Sequence, residues 1–115
     1  MVTPTTGSII LIPFPFSDLS QSKLRPAVVL ANAGKEDWIL CQITSKSYAD
    51  LQSIKLSDDD FANGSLKLIS YGRPGKLFTA NSSLIISKVG DLKLETLKTI
   101  IDAVVNVLMN NLQNS

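Results

Sequence analysis

Short apolar runs separated by turn-forming residues dominate the chain up to residue 91. Runs of this length, bounded by Gly, Pro, Asn and Asp, are typical of β-strands. Residues 58–64 predict a turn with a brief helical piece, and residues 72–75 predict a bend. Frequent turns between short strands favour a sandwich or small barrel over a βαβ fold. The pattern places strands at residues 8–14, 26–31, 38–44, 53–56, 66–71, 76–79 and 84–89.

The period of the apolar positions changes after residue 91. Leu97, Ile101, Val104 and Leu108 recur at helical spacing, which predicts a C-terminal helix. Other apolar residues widen the arc to about 200°, beyond the roughly 100° that a surface helix needs. Either the whole face packs on the sheet, or part of it also meets another chain. Leu94 and Leu112 extend the stripe, and the widening residues are Ile100, Val105, Val107 and Met109.

The size and charge of the chain indicate one globular domain spanning residues 1–115. A chain of 115 residues with 44% hydrophobic residues can bury a core and suits a single domain. Basic residues number 11 and acidic residues 10, so the net charge is only +1. Bulk electrostatic attraction to nucleic acid is therefore excluded, and any such contact must come from a local cluster.

The sequence contains no histidine and a single cysteine, Cys41. These absences exclude a Ser-His-Asp triad, a two-histidine ribonuclease and most zinc sites, so we expect neither metal nor other cofactor. A lone cysteine also excludes an intramolecular disulfide, which fits a reducing compartment. Because no signal peptide or membrane-length apolar run is present, we expect a cytoplasmic protein without a membrane partner.

Three polar clusters at strand edges are candidates for chemistry: residues 17–25, 42–46 and 71–76. Arg25 belongs to the first, Thr44 to the second and Arg73 to the third. A guanidinium is permanently charged, and its planar fork matches a phosphate. Two arginines and a threonine in one groove would suit attack on a phosphodiester. Taken singly, each has a simpler interpretation as a solvated charge or a turn cap.

The order and spacing of three segments resemble the MazF/PemK family of toxin–antitoxin endoribonucleases. They are GSIILIPFPFSDLSQSKLRPAVVLA at 7–31, WILCQIT at 38–44 and SYGRPGKLFTANSSLI at 70–85. The resemblance extends into the C-terminal helix. It implies a mainly β, SH3-like small barrel of six or seven strands with a C-terminal α-helix. It further implies a homodimer that cleaves single-stranded RNA without metal and is restrained by a cognate antitoxin.

The resemblance also implies a mechanism and assigns residues to it. In such enzymes the 2′-hydroxyl of the substrate attacks the adjacent phosphorus, leaving a 2′,3′-cyclic phosphate and a 5′-hydroxyl. Arg25 matches an arginine that neutralises the phosphate and takes part in proton transfer. Thr44 matches a threonine that hydrogen-bonds a phosphate oxygen, and Arg73 matches an arginine that acts as catalytic acid in part of the family.

The sequence departs from the family where relatives place a catalytic aspartate two residues after the second arginine. Gly75 occupies that position, and Asn81 replaces the aspartate of the following segment. Arg25 or Asp18 then serves as the base, or the protein is slow or inactive. The alternative function is accordingly a catalytically degenerate barrel that binds RNA or an antitoxin peptide without cleavage.

RNA binding is expected from polar and basic residues around the same groove, with Phe16 stacking on an unpaired base. We expect the groove to lie near a subunit boundary, with the loop at residues 17–23 over it. The predicted RNA-binding residues are Phe16, Ser17, Asp18, Ser20, Lys23, Gln42, Ser45, Lys46 and Lys76.

Overall fold

The structure, a computed structural model, describes residues 3–14, 23–47 and 50–113. Seven strands and one long helix make up the described fold. Two single 3₁₀ turns, Asp58–Asp60 and Ser82–Leu84, connect some of them. The strands are β1 (Ser8–Phe14), β2 (Lys23–Gly34), β3 (Asp37–Thr44), β4 (Ile54–Leu56), β5 (Phe61–Gly64), β6 (Ser70–Asn81) and β7 (Ser87–Leu92), and the helix is α1 (Leu94–Gln113).

The seven strands form one antiparallel sheet in the order β4-β6-β3-β2-β1-β7-β5. The sheet curls into a half-barrel, which confirms the predicted fold class of a small β-barrel with a C-terminal helix. The chain places β1, β2 and β3 at the centre and the short strands β4 and β5 at the two edges. The first polar cluster, residues 17–25, follows β1 in the chain and ends within β2. The second, residues 42–46, begins within β3.

Both faces of the central strands are buried. Alternate residues point to opposite faces, so Val28 and Cys41 pack with Leu97 and Ile100 of α1, whereas their neighbours form a second cluster. Burial on both sides explains why these strands are almost continuously apolar in sequence, without alternation. The second cluster contains Ile10, Ile12, Ala27, Val29, Leu40, Ala80 and Ile85.

The helix buries only part of its apolar arc. Leu97 and Ile100 are buried, and Val104 packs against the same core cluster. A second stripe at spacings of four, three and four residues stays exposed; it consists of Ile101, Val105, Leu108 and Leu112. Part of the predicted face thus packs on the sheet, and part of it stays exposed. Within the described ranges, no helix has the length and apolarity needed to cross a membrane.

Several strand boundaries differ from the prediction, although the first strand and the helix are confirmed. Residues 66–71 and 76–79 are not two strands around a bend, because β6 runs unbroken from Ser70 to Asn81. Residues 65–69 are irregular, and Lys67 has a φ of 65°. The last strand begins at Ser87 rather than at residue 84, because Ser82–Leu84 forms a 3₁₀ turn.

The short strand β5 was predicted as a turn because its sequence, Phe-Ala-Asn-Gly, has turn composition. It pairs with β7 through two glycines, Gly64 and Gly90, which face each other. Gly64 has a φ of +72°, and a Cβ there would lie 2.1 Å from the carbonyl oxygen of Val89. Glycine is therefore required for this strand to approach β7.

Candidate functional site

Arg25 and Thr44 lie on neighbouring strands of the sheet and line one cavity of about 260 Å³. The pairing of β2 with β3 reaches Ala27 and Gln42, and Arg25 and Thr44 each lie two residues beyond that pair. Arg25 is also paired with Ile12 on its other side. The two strands therefore fix the relative positions of the two residues that the sequence singled out most strongly.

Thr44 ends β3 and is held by a local hydrogen bond. Its hydroxyl oxygen accepts the backbone N–H of Lys46 at 3.2 Å, so the hydroxyl hydrogen can be turned toward an acceptor in the cavity. Ser45 lines the same cavity, and the side chains of Ser45 and Lys46 are exposed. Thr44 itself is only 7% exposed, which is more buried than expected for a site residue, whereas Arg25 is exposed.

Arg73 lies in a bulge of β6 that opens a second cavity of about 490 Å³. Cys41 is paired with Leu77 and Ile43 with Gly72, so Gln42 alone faces residues 73–76 of β6. Pro74 is buried in this bulge, where its missing N–H breaks no ladder bond. The second cavity is lined by Gln42, Arg73, Lys76, Leu77 and Phe78.

The Cys41 thiol holds the backbone of the bulge from the buried side. Its Sγ donates a hydrogen bond to the carbonyl oxygen of Arg73 at 3.1 Å. Burial raises the pKa of the Cys41 thiol to about 12, although the hydrogen bond to Arg73 partly offsets the effect. Cys41 therefore stays protonated near neutral pH and acts as a donor, not as a nucleophile.

Arg73 also forms an ion pair that sequence reasoning missed. Its Nε lies 3.2 Å from Oδ2 of Asp50, and the two side chains are 20% and 19% exposed. Asp50 lies 23 residues earlier in the chain, in the connection between β3 and β4. Nothing in the local sequence distinguishes it from any other loop carboxylate.

The structure distributes the predicted site residues over two neighbouring cavities. Arg25, Thr44 and Ser45 line the first, and Gln42, Arg73 and Lys76 line the second. The two are linked through β3, where Gln42 and Thr44 are two residues apart and so separated by about 7 Å on one face. Lys23 begins β2 opposite Phe14 and is exposed. Phe16, Ser17, Asp18 and Ser20 lie outside the described residues.

The two cavities together offer cations, a hydroxyl and an amide to an anionic ligand. Two guanidinium groups, the Lys76 ammonium and the Gln42 amide suit a phosphodiester backbone. Among the described residues, no three His, Cys, Asp or Glu side chains are grouped to hold a metal ion. The arrangement suits binding of a polyanion and stabilisation of charge on it.

The comparisons with known structures find the same curled sheet in bacterial toxins. The MazE-MazF structure (Form-II) from Deinococcus radiodurans superposes with a TM-score of 0.73 at 16% identity, covering 94% of this chain and 97% of that one. An endoribonuclease in complex with its cognate antitoxin from Mycobacterial species gives 0.70 at 14% identity, with 94% and 95% covered. Mycobacterium tuberculosis toxin MazF-mt6 gives 0.67 at 13% identity, with 88% and 95% covered.

The fold and the cavities define a small half-barrel protein with basic residues lining two neighbouring cavities. Residues 5–108 match the family model of the PemK-like, MazF-like toxins of type II toxin–antitoxin systems. The chain belongs to this family, which confirms the resemblance found in the sequence. No curated protein matches the sequence at a significant level.

Proposed function

We propose that the protein is the toxin of a type II toxin–antitoxin pair and acts as a metal-independent endoribonuclease on single-stranded RNA. The observation that carries the proposal is that Arg25 and Thr44, on two neighbouring central strands, line one cavity. Membership of the toxin family supports it, as do the solved relatives of the same fold that are described as endoribonucleases.

The proposed reaction needs no group beyond the RNA and the side chains of this chain. The 2′-hydroxyl oxygen attacks the adjacent phosphorus as its proton passes to the base, Arg25 or Asp18, and the bond from phosphorus to the 5′-oxygen breaks as that oxygen takes a proton from Arg73. The products are a 2′,3′-cyclic phosphate and a 5′-hydroxyl. Negative charge grows on the phosphoryl oxygens, where Arg25 and the Thr44 hydroxyl would act as donors.

The second cavity would hold the neighbouring part of the RNA backbone and bring Arg73 toward the leaving oxygen. Lys76 is exposed at its rim, and Gln42 connects it to the first cavity along β3. Phe78, which also lines the cavity, offers an apolar surface for an unpaired base. Single-stranded RNA fits because an unstacked backbone can bring the 2′-hydroxyl in line with the leaving oxygen, which a stacked duplex disfavours.

We further propose a homodimer and an antitoxin as the protein partners, acting in the cytoplasm. The exposed stripe of α1 supports contact with a second copy, because Ile101, Val105 and Leu108 expose apolar surface at helical spacing. An antitoxin segment with acidic and apolar residues would block the cavities by imitating phosphate. Solved relatives of the same fold are described with MazE or with a cognate antitoxin.

The experiment that tests this function is cleavage of a mixed RNA by pure protein in EDTA, followed by chemical mapping of the new ends. We expect 5′-hydroxyl and 2′,3′-cyclic phosphate ends on single-stranded regions, while duplex regions resist. A requirement for magnesium, or 5′-phosphate ends, would rule out the mechanism. Tight RNA binding without cleavage would instead identify a binding protein.

A further inference from the structure

The connection that contains Asp50 is built to present a carboxylate. The backbone N–H of Asp50 donates to Ser47 O at 3.1 Å, and its own carbonyl oxygen accepts both the N–H and the hydroxyl of Ser53. The N–H of Gln52 donates to Oδ1 at 3.0 Å, in an Asx-type turn. The position and the orientation of the carboxylate are therefore both fixed before any ligand binds.

The other carboxylate oxygen of Asp50 fixes Arg73. Oδ2 accepts Nε–H of Arg73 at 3.2 Å, while the carbonyl oxygen of Arg73 accepts the Cys41 thiol. The residue is thus held at its backbone and at the base of its guanidinium. Because the guanidinium is planar, fixing Nε also fixes the plane of its terminal N–H groups.

The bulge of β6 has no carboxylate of its own. Gly75 is exposed, and a Cβ built on it would meet no atom within 4 Å. The position could therefore accept an aspartate side chain without a clash. The missing carboxylate is thus not explained by lack of space.

We propose that Asp50 is the positioning residue for Arg73 and supplies, from the β3–β4 connection, a carboxylate beside the guanidinium that the β6 bulge itself lacks. This inference rests on the proposed ribonuclease function. Asp50 orients the guanidinium toward the RNA bound in the second cavity and keeps it from sampling other rotamers. A preoriented guanidinium raises the cleavage rate more than the affinity for RNA, because it need not be reoriented before the transition state is reached.

The first test is Asp50→Asn, which keeps the shape of the side chain and removes its charge. We expect single-turnover cleavage to slow by about 10-fold, with KM changed by no more than about twofold. Asp50→Glu should recover part of the rate. In an Arg73→Ala background Asp50→Asn should have no further effect, whereas a further 10-fold loss would show that Asp50 acts independently of Arg73 and would overturn the proposal.

The decisive experiment adds Gly75→Asp to the Asp50→Asn protein and asks whether the cleavage rate is restored. We expect this second substitution to recover most of the lost rate, and to change the rate little when Asp50 is intact. Absence of recovery would refute the claim that a carboxylate beside Arg73 is what the rate requires. The matched control is Asp91→Asn, which removes the 2.9 Å ion pair with Lys88 elsewhere on the sheet and should leave cleavage unchanged.

A spectroscopic readout separates this inference from the proposed function. In ¹⁵N-labelled protein the Nε–H resonance of Arg73 should be resolved and slow to exchange, and Asp50→Asn should broaden or abolish it while the Asp91→Asn control does not. If the wild-type protein fails to cut RNA, the proposed function fails. The Nε–H signal still decides whether Asp50 holds Arg73, and an unchanged signal in Asp50→Asn would overturn that claim.

Discussion

Arg25 of β2 and Thr44 of β3 each lie two residues beyond the pair Ala27–Gln42 of these neighbouring strands, and both line the same cavity. One is an exposed cation, and the other is a buried hydroxyl whose oxygen already accepts a backbone N–H. This combination places a mobile charge beside a fixed neutral donor. The substitutions that distinguish a catalytic pair from two structural residues follow from this difference in burial.

Thr44→Ala should reduce single-turnover cleavage by about 10-fold, because a neutral hydroxyl donor is lost and water replaces part of its effect. It should also cost about 1 kcal/mol of stability, since the N–H of Lys46 loses its acceptor. Thr96 is a matched control: it is likewise 7% exposed, and its hydroxyl donates to Asp60 at 3.0 Å. Thr96→Ala should match the loss in melting temperature but not the loss in rate.

Lys76→Ala should weaken RNA binding without changing the fold. If Lys76 contacts one phosphate, the slope of log K against log salt should fall by about 0.7 for a single strand. Fluorescence anisotropy with a 2′-O-methylated RNA, which cannot be cleaved, measures this directly. Lys98→Ala on the exposed side of α1 should leave the slope unchanged. Equal slopes for Lys76→Ala and wild type would place the RNA away from the second cavity.

The exposed stripe of α1 should mediate self-association. Light scattering of wild-type protein at micromolar concentration should give twice the 12.4 kDa mass of one chain. Leu108 is 62% exposed, and Leu108→Glu should shift the protein to monomer because a charge is placed on the apolar stripe. Asn106→Glu adds the same charge on another side of the helix and should stay dimeric. A monomeric wild type would contradict the proposed homodimer.

Cys41 should make the fold sensitive to alkaline pH. Its folded-state pKa of about 12 is raised from an ordinary value of 9.0, so its stabilising contribution is complete below pH 9 and falls as the pH rises toward 12. The free energy of unfolding should then lose up to about 1.4 kcal/mol per pH unit relative to Cys41→Ala. Urea titrations of both proteins between pH 8 and 10.5 test this. A difference in unfolding free energy that does not change with pH would contradict the raised pKa of Cys41.

The parts of the fold that were predictable are those with a single dominant signal. The strand Ser8–Phe14 is a continuous apolar run, and α1 has an unmistakable helical period. β6 was split in two because its bulge contains Gly and Pro, whose local preference for turns is overridden by pairing with β3 on both sides. β5 was missed because its pairing depends on contact between two distant glycines, Gly64 and Gly90.

The candidate site, like the fold, could be predicted from the sequence only in part. The three clusters could be located from residue type and strand position, because charged and hydroxyl residues interrupt apolar strands there. Their distribution over two cavities depends on strand register and on the bulge between Gly72 and Leu77, which no local pattern encodes. The Arg73–Asp50 pair depends on the path of the connection between β3 and β4, and therefore became visible only in three dimensions.

The most direct test of the account is single-turnover cleavage of RNA in EDTA by wild-type protein and by Arg25→Ala, with thermal melting of the same preparations. We expect Arg25→Ala to be slower by on the order of 100-fold, the scale for loss of a charge-stabilising donor, with an unchanged melting temperature because Arg25 is exposed. Arg25→Lys should recover only part of the rate, since an ammonium lacks the planar fork. Equal rates per folded molecule, with a lowered melting temperature for Arg25→Ala, would contradict the account and make Arg25 a structural residue.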